Sequence, residues 1–203
     1  MKLNNKRTIL VGLAFLSICA FWQMYDNIVP LILTKTFHMN ETFSGAIMAA
    51  DNILALFLLP FFGSVSDKSH SKLGKRMPFI LFGTGCAIIL MNILPLLDNS
   101  YAAQPSGFKT ASFVIVLGLL LVAMGTYRAP AVALMPDVTP KPLRSRANAI
   151  INLMGAVGGI LYLGVAAVLY PNSKTAGLDH VNYQPLFIVV SAIMFVAVAV
   201  LFL

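Results

Sequence analysis

Charged residues are scarce in this sequence, and acidic residues are the scarcest of them. Lys, Arg, Asp and Glu together make up 10% of the 203 residues, against about a quarter in a typical soluble protein. Hydrophobic residues make up 59%, and the mean hydropathy is +0.85. This composition excludes a soluble globular domain and predicts an all-α, multi-pass integral membrane protein.

Residues that carry catalytic, metal and redox chemistry are equally sparse. The two cysteines, Cys19 and Cys86, fall in apolar runs, and the three histidines, His38, His70 and His180, fall between such runs. No Ser/His/Asp arrangement and no HExxH motif occurs, and no nucleophile is paired with a base. The sequence therefore predicts that the protein is not an enzyme and that it uses neither a cofactor nor a metal.

Apolar runs long enough to cross a hydrocarbon core of about 30 Å are abundant by contrast. Six of them lie at roughly residues 8–33, 42–63, 78–97, 111–136, 147–170 and 185–203. They occupy nearly the whole chain, so residues 1–203 are predicted to form one transmembrane domain of six helices. Any function must then lie within the membrane.

The distribution of basic residues accounts for the net charge of +7 and predicts an orientation. One side of the predicted bundle holds Lys2, Lys6, Arg7, Lys68, Lys72, Lys75, Arg76, Lys141, Arg144 and Arg146. The opposite side holds Lys35, Lys109 and Lys174. Because cytoplasmic loops are enriched in Lys and Arg, both termini are predicted to face the cytoplasm. The loops are too short to build a folded basic face, so membrane lipid and not nucleic acid is the expected surrounding.

Three ionisable residues interrupt the apolar runs: Asp26, Asp51 and Arg128. A rise of about 1.5 Å per residue places each of them roughly 11–14 Å from the nearer end of its helix, so all three occupy one middle band. A charge in this band costs at least about 2.5 kcal/mol unless it is paired or hydrated. We therefore expect either a shared water-filled cavity or an ion pair between Arg128 and an acid. A purely structural contact between helices is the alternative.

Polar neighbours of these charges favour a pathway for a solute. Gln23, Asp26 and Asn27 share one face of the first helix, and Trp22 and Tyr25 flank that face. Donors, acceptors and aromatic planes together suit a polyhydroxylated solute, because they replace its lost hydration.

The fourth and fifth helices add further pathway candidates. Tyr127 and Arg128 precede Pro130, which removes a backbone hydrogen bond and predicts a kink. Asn152 lies on the fifth helix, where Gly155 and Gly159 form a GxxxG spacing that favours close packing of helices. The predicted pathway residues are thus Trp22, Gln23, Asp26, Asn27, Asp51, Tyr127, Arg128 and Asn152.

The segment "GSVSDKSHSKLGKRMPF", residues 63–79, joins the second and third predicted helices. Its acid, Asp67, follows the carboxyl end of a helix, where the helix dipole disfavours negative charge. A compensating partner such as Arg76 is therefore predicted for Asp67. A solvated basic loop is the alternative.

Two segments resemble the major facilitator superfamily. "GSVSDKSHSKLGKRMPFI", residues 63–80, resembles the signature between helices 2 and 3 of that superfamily. "YRAPAVALMPDVTPKPLRSRANAI", residues 127–150, is similar to the helix 4 to helix 5 segment of the sucrose-transporter-like branch. The first segment also resembles the glycoside-pentoside-hexuronide:cation symporters.

The resemblance implies one half of a twelve-helix fold, built from two inverted three-helix repeats. It implies a sugar transporter that works by alternating access and is coupled to protons or sodium. The paired acids of the cation symporters correspond to Ala55 and Leu59, which favours protons. Conformational latch roles fall to Asp67, Lys75, Arg76, Asp137, Arg144 and Arg146.

The resemblance also sets expectations about partners. A C-terminal six-helix half, or a second copy of the chain, is expected to complete the transporter, in a bacterial inner membrane. A transporter of another substrate, such as a drug or an organic anion, is one alternative. A membrane assembly protein without transport activity is another.

Overall fold

The structure, a computed structural model, describes residues 4–175 and 177–203 and contains no β-strand within them. Lys2, one of the basic residues that predict the orientation, lies outside the described residues. Six helices are long and apolar enough to cross a membrane. They are α1 (Asn5–Leu31), α2 (Glu41–Asp67), α3 (Met77–Ala103), α4 (Gly107–Val138), α5 (Arg144–Leu169) and α7 (Gln184–Phe202), while α6 (Asn172–Thr175) is a single turn. The predicted six-helix transmembrane fold is confirmed.

The helices extend beyond the apolar runs at most of their ends. α3 continues through Asp98, Asn99 and Ser100 to Ala103, although its apolar run stops near residue 97. Hydropathy detects the hydrocarbon-facing part of a helix, whereas the backbone hydrogen bonds continue into its polar ends. This difference matters for function because it places Asp98 inside a helix.

Polar caps fix where the first two helices begin. The Asn4 side chain accepts a hydrogen bond from the Arg7 backbone N–H at 3.2 Å, and Asn40 accepts from Thr42 N–H at 3.1 Å. Each cap satisfies a backbone donor that the helix itself leaves free. A π-helical turn, Ile32–Thr36, follows α1 and leads into the loop before α2.

The packing of the helices follows an inverted repeat. α1 packs against α5, α7 and α4; α4 packs against α2 and α3; and α3 packs against α7. Exchanging α1 with α4, α2 with α5, and α3 with α7 interchanges the α1–α5 and α2–α4 contacts and the α1–α7 and α3–α4 contacts, and it leaves the α1–α4 and α3–α7 contacts unchanged. Two structurally equivalent three-helix units produce this symmetry.

Glycines bring α1 and α5 close together. A Cβ at Gly158 would collide with the Leu16 carbonyl oxygen, and a Cβ at Gly155 would lie 2.9 Å from the Cys19 Sγ. The predicted close packing at the GxxxG spacing is therefore confirmed, although the tightest approach is made by Gly158 and not by Gly159.

The most and least buried of the spanning helices are α1 and α2. In the most apolar 18-residue stretch of each helix, 56% of the α1 residues are buried and none of the α2 residues. α2 presents large apolar side chains outward, among them Ile53, Leu56, Phe57 and Phe61. The polar residues of α1 thus lie on the central helix, and α2 forms one outer wall.

Candidate functional site

A small cavity lies in the middle of the bundle between α1, α2 and α4. Its polar lining comes from Trp22, Asp51 and Arg128, and its volume is about 20 Å³. That is room for about one water molecule, whereas pockets for small organic ligands measure roughly 300–1,000 Å³. The cavity enclosed by the described residues is therefore too small for a small organic ligand.

Arg128 stacks on an aromatic ring. Its guanidinium carbon lies 5.5 Å from the centroid of the Trp22 ring, within the range of a cation–π interaction. Among residues 4–175 and 177–203, no carboxylate oxygen lies within 4.0 Å of the guanidinium. Of the two arrangements expected for Arg128, the ion pair is therefore not formed among the described residues in this conformation, and the charge is only partly buried.

Three of the predicted pathway residues form an exposed polar strip on α1. Gln23, Asp26 and Asn27 are all exposed, and Asn27 Nδ2 donates to the Gln23 carbonyl at 2.6 Å. Gln23 packs beside Gly159 of α5, whereas Trp22 faces α2 and α4 across the small cavity. The strip therefore occupies the side of α1 that lies between α2 and α5.

Two buried donors beside this strip lack hydrogen-bond partners. Trp22 Nε1 and the Tyr25 hydroxyl are buried, and neither finds an acceptor within the described parts of the chain. The two rings pack edge to face at 5.3 Å. Each unmet buried donor costs about 1–3 kcal/mol, so both are suited to bind a ligand or a water that supplies the acceptor.

Tyr127 occupies a different environment. Its side chain is fully buried, its hydroxyl lies 2.7 Å from Ser17 Oγ, and it donates to the Ala14 carbonyl at 3.1 Å. In this conformation Tyr127 joins α4 to α1, and its place in the pathway stays a prediction. Asn152 is exposed on α5.

A charged cluster at the basic end of the bundle joins three helices. Arg76, at the start of α3, is 7% exposed. Its guanidinium contacts Asp67 Oδ1 of α2 at 2.5 Å and Asp137 Oδ2 of α4 at 2.9 Å. It also donates to Ser66 Oγ at 2.6 Å and to the Gly63 carbonyl at 3.3 Å. The predicted partner of Asp67 is confirmed, whereas Ser66 was not anticipated.

The other predicted latch residues differ in their contacts. Arg144 donates to the carbonyls of Pro136 and Thr139 at 2.9 and 3.3 Å, so it caps the carboxyl end of α4. Lys75 and Arg146 are exposed. Arg76, Asp67 and Asp137 border a surface cavity of about 440 Å³ that Lys75 also lines.

Sequence reasoning missed a buried acid near the opposite end of the bundle. Asp98 on α3 is 0% exposed, and His180 Nδ1, in the segment between α5 and α7, lies 3.8 Å from its Oδ2. Asp98 was overlooked because it follows the last residue of its apolar run. The signal available in the sequence was an acid just beyond an apolar run, together with a histidine in another loop predicted at the same end of the bundle.

These features define the class of the protein: a multi-pass integral membrane protein with a polar wall at mid-depth and a charged cluster at one end. The sequence model of the Major Facilitator Superfamily matches residues 11–203. The chain therefore belongs to this superfamily.

Named relatives fall in the same superfamily. The chain is 35% identical over 145 residues to sucrose transport protein SUC3 of Arabidopsis thaliana, a match that covers 66% of this chain and 24% of that protein. It is 36% identical over 123 residues to sucrose transport protein SUT3 of Oryza sativa subsp. indica, covering 54% and 24%. It is 25% identical over 179 residues to the alpha-ketoglutarate permease of Escherichia coli (strain K12), covering 87% and 38%. The chain thus spans about a quarter of the length of the sucrose transport proteins that it matches.

Proposed function

We propose that the protein takes part in secondary transport of a sugar or glycoside, by proton symport and alternating access. Two of the relatives are named sucrose transport proteins. The observation that carries the proposal is the pair of unmet buried donors, Trp22 Nε1 and the Tyr25 hydroxyl, beside an exposed polar strip at mid-membrane. A sugar hydroxyl accepts from such donors, and the Trp22 ring offers an apolar face to the sugar ring.

The acids near this wall are proposed to carry the coupling proton. Asp26 is exposed on α1, and Asp51 borders the small cavity together with Arg128. A carboxyl group that loses hydration when substrate closes the site binds a proton more readily. Proton binding is thereby linked to sugar binding.

The cluster around Arg76 is proposed to act as the conformational latch. It ties the ends of α2, α3 and α4 through two ion pairs at one end of the bundle. A rocking motion that opens this end must separate some of these contacts. Lys75, Arg144 and Arg146 lie in the same region and are proposed to contact the rest of the transporter.

A second six-helix unit is proposed to complete the site. The small cavity is one wall only, and α2 and α5 present exposed apolar side chains on either side of the polar strip, including Phe57 on α2 and Leu153 on α5. A C-terminal half, or a second copy, would cover these faces. In this proposal the basic end faces the cytoplasm of a bacterial cell. The protein acts as a transporter and not as an enzyme.

Uptake measurements test this function. Vesicles containing the full-length protein would be offered a panel of labelled mono- and disaccharides with and without an imposed pH gradient. Asp26→Asn and Asp51→Asn should impair uptake driven by the proton gradient, whereas Asp179→Asn, in an exposed loop, should not. If both mid-membrane variants accumulate sugar against its gradient as the parent does, the proton-coupling assignment is wrong.

An organic anion is the second candidate substrate, and a specific observation favours it. Arg128 has no carboxylate within 4.0 Å in the described residues, so its charge is available to an anionic ligand. One of the relatives is named an alpha-ketoglutarate permease. Competition by a dicarboxylate against labelled sugar separates the two substrates, because only the true substrate class inhibits at low concentration.

A further inference from the structure

Asp98 is buried, and neither oxygen of its carboxyl group makes a hydrogen bond of regular geometry in the described ranges 4–175 and 177–203. Its side chain is 0% exposed on α3, although the Thr36 hydroxyl lies beside the carboxylate. A bare carboxylate is not retained in such a place as an isolated charge, because it either acquires a cationic partner or takes up a proton. The groups around Asp98 decide between these outcomes.

His180 is the titratable group nearest to the acid. Its Nδ1 lies 3.8 Å from Asp98 Oδ2 and 3.2 Å from Thr36 Oγ1, at the end of the π-helical turn that follows α1. Its Nε2 lies 3.0 Å from Asn99 Oδ1 on α3. The His180 side chain is 28% exposed, so protons from water can reach the ring.

The hydrogen bonds around Asn182 fix which ring nitrogen titrates. Asn182 Oδ1 accepts from the Gln184 backbone N–H at 3.0 Å, so this atom must be the amide oxygen. Asn99 therefore donates its Nδ2 to that oxygen, at 3.0 Å, and its own Oδ1 faces His180. His180 Nε2 must then carry a hydrogen. The nitrogen left to gain or lose a proton is Nδ1, which faces Asp98 and Thr36.

Other ionisable groups lie at the same end of the bundle. They include Lys35, His38, Glu41, Tyr101, Lys109, Tyr170, Asp179 and Tyr183. The Lys109 ammonium is engaged by the carbonyls of Ser100 and Gln104 at 2.8 and 2.9 Å. Burial, and then the nearby Asp98 carboxylate, raise the pKa of the Tyr183 phenol. Tyr183 thus stays neutral and does not compete for the proton.

We propose that Asp98 and His180 together bind one proton at the end of the bundle opposite the basic loops, and that loss of this proton releases residues 177–183 from α3. With one proton the pair is neutral overall, either as an ion pair or as two neutral groups, which suits its burial. Without the proton, Asp98 becomes an uncompensated buried charge. The segment can then move away and allow water to reach the carboxylate. The site does not depend on what the protein transports.

The nitrogen assignment is tested without changing either member of the pair. The full-length protein, with His38→Gln and His70→Gln to simplify the spectrum and isotopically labelled histidine, would be followed by NMR in lipid nanodiscs. The proposal requires that His180 Nε2 keeps its hydrogen at every pH and that Nδ1 responds to pH. A neutral ring with its hydrogen on Nδ1 would overturn the proposal.

Release of the segment is tested by hydrogen exchange between about pH 6 and about pH 9. The backbone amides of residues 177–183 are compared with those of the loop 69–75, which corrects for the intrinsic effect of pH on exchange. If opening releases one proton, exchange of 177–183 relative to the reference rises about tenfold per pH unit while the closed state still holds the proton, and it levels off once the closed state has lost it.

A matched pair of variants identifies the acid. Asp98→Asn should abolish the rise, because no buried charge forms at high pH, whereas Asp179→Asn, an exposed acid next to His180, should retain it. The proposal fails if segment and reference change in parallel in the parent, or if Asp98→Asn preserves the rise. Should Asp98→Asn not fold, the NMR result still decides the nitrogen assignment and the parent exchange profile still decides the release.

Discussion

Two polar regions of this bundle, the basic end and the mid-membrane wall, differ in how completely their hydrogen bonds are satisfied. At the basic end, Arg76 has acceptors on α2 and α4, including Asp67 and Asp137. At mid-membrane, Trp22 Nε1 and the Tyr25 hydroxyl have none among the described residues. Buried groups whose hydrogen bonds are satisfied stabilise one arrangement of helices, whereas buried donors without an acceptor can gain one from a ligand. The difference agrees with the proposal that the basic end holds the conformation and that the mid-membrane wall binds substrate.

The largest effect is expected from removing the centre of the satisfied region. Arg76→Gln leaves Asp67 and Asp137 without their shared cation and should lower the free energy of unfolding by about 2–4 kcal/mol. Denaturant unfolding in mixed micelles would measure it. Lys75→Gln, one residue away and exposed, is the control and should change stability little. Equal stability of the two variants would show that the cluster does not hold the helices.

A smaller loss is expected when one acid of the cluster is neutralised. Asp137→Asn keeps the shape of the side chain but removes one of the two charges that face Arg76, and its carboxylate is 47% exposed. Solvent screens such a pair, so the expected loss is about 1 kcal/mol. The same unfolding assay at high salt should reduce the difference between variant and parent, whereas an unchanged difference would argue for a role independent of charge.

Arg128 gives the mid-membrane counterpart of the first substitution. Arg128→Gln removes a cation–π contact with Trp22 and no ion pair, so the cost in stability should be about 1 kcal/mol or less. The transport rate should fall strongly although the protein remains folded, because Arg128 lines the mid-membrane cavity. A loss of stability as large as that of Arg76→Gln would contradict the distinction between the two regions.

The sequence predicted the helices themselves better than the rotation of each helix about its axis. Long apolar runs predict six spans because the bilayer sets the length of a spanning helix. The helix dipole predicts a partner for Asp67, and Arg76 provides it. The directions of Tyr127 and Arg128 were not predictable, because these helices are apolar around much of their circumference and the pattern does not fix their rotation.

Asp98 illustrates the second limit of the sequence. An acid just beyond an apolar run resembles an ordinary residue at the membrane surface. His180 and Thr36, which lie beside it, are far away in the chain and approach it only in the folded bundle. Such a site depends on tertiary contacts that local patterns do not contain.

One pair of substitutions tests the central distinction most directly. Tyr25 and Tyr127 are both 0% exposed, but only the Tyr127 hydroxyl has hydrogen-bond partners. Tyr127→Phe should therefore lower the free energy of unfolding by roughly 0.5–1 kcal/mol and weaken sugar binding less than Tyr25→Phe does. Tyr25→Phe should leave stability unchanged or raise it slightly, and should weaken sugar binding. Equal destabilisation by both substitutions, with sugar binding unaffected by Tyr25→Phe, would contradict the account.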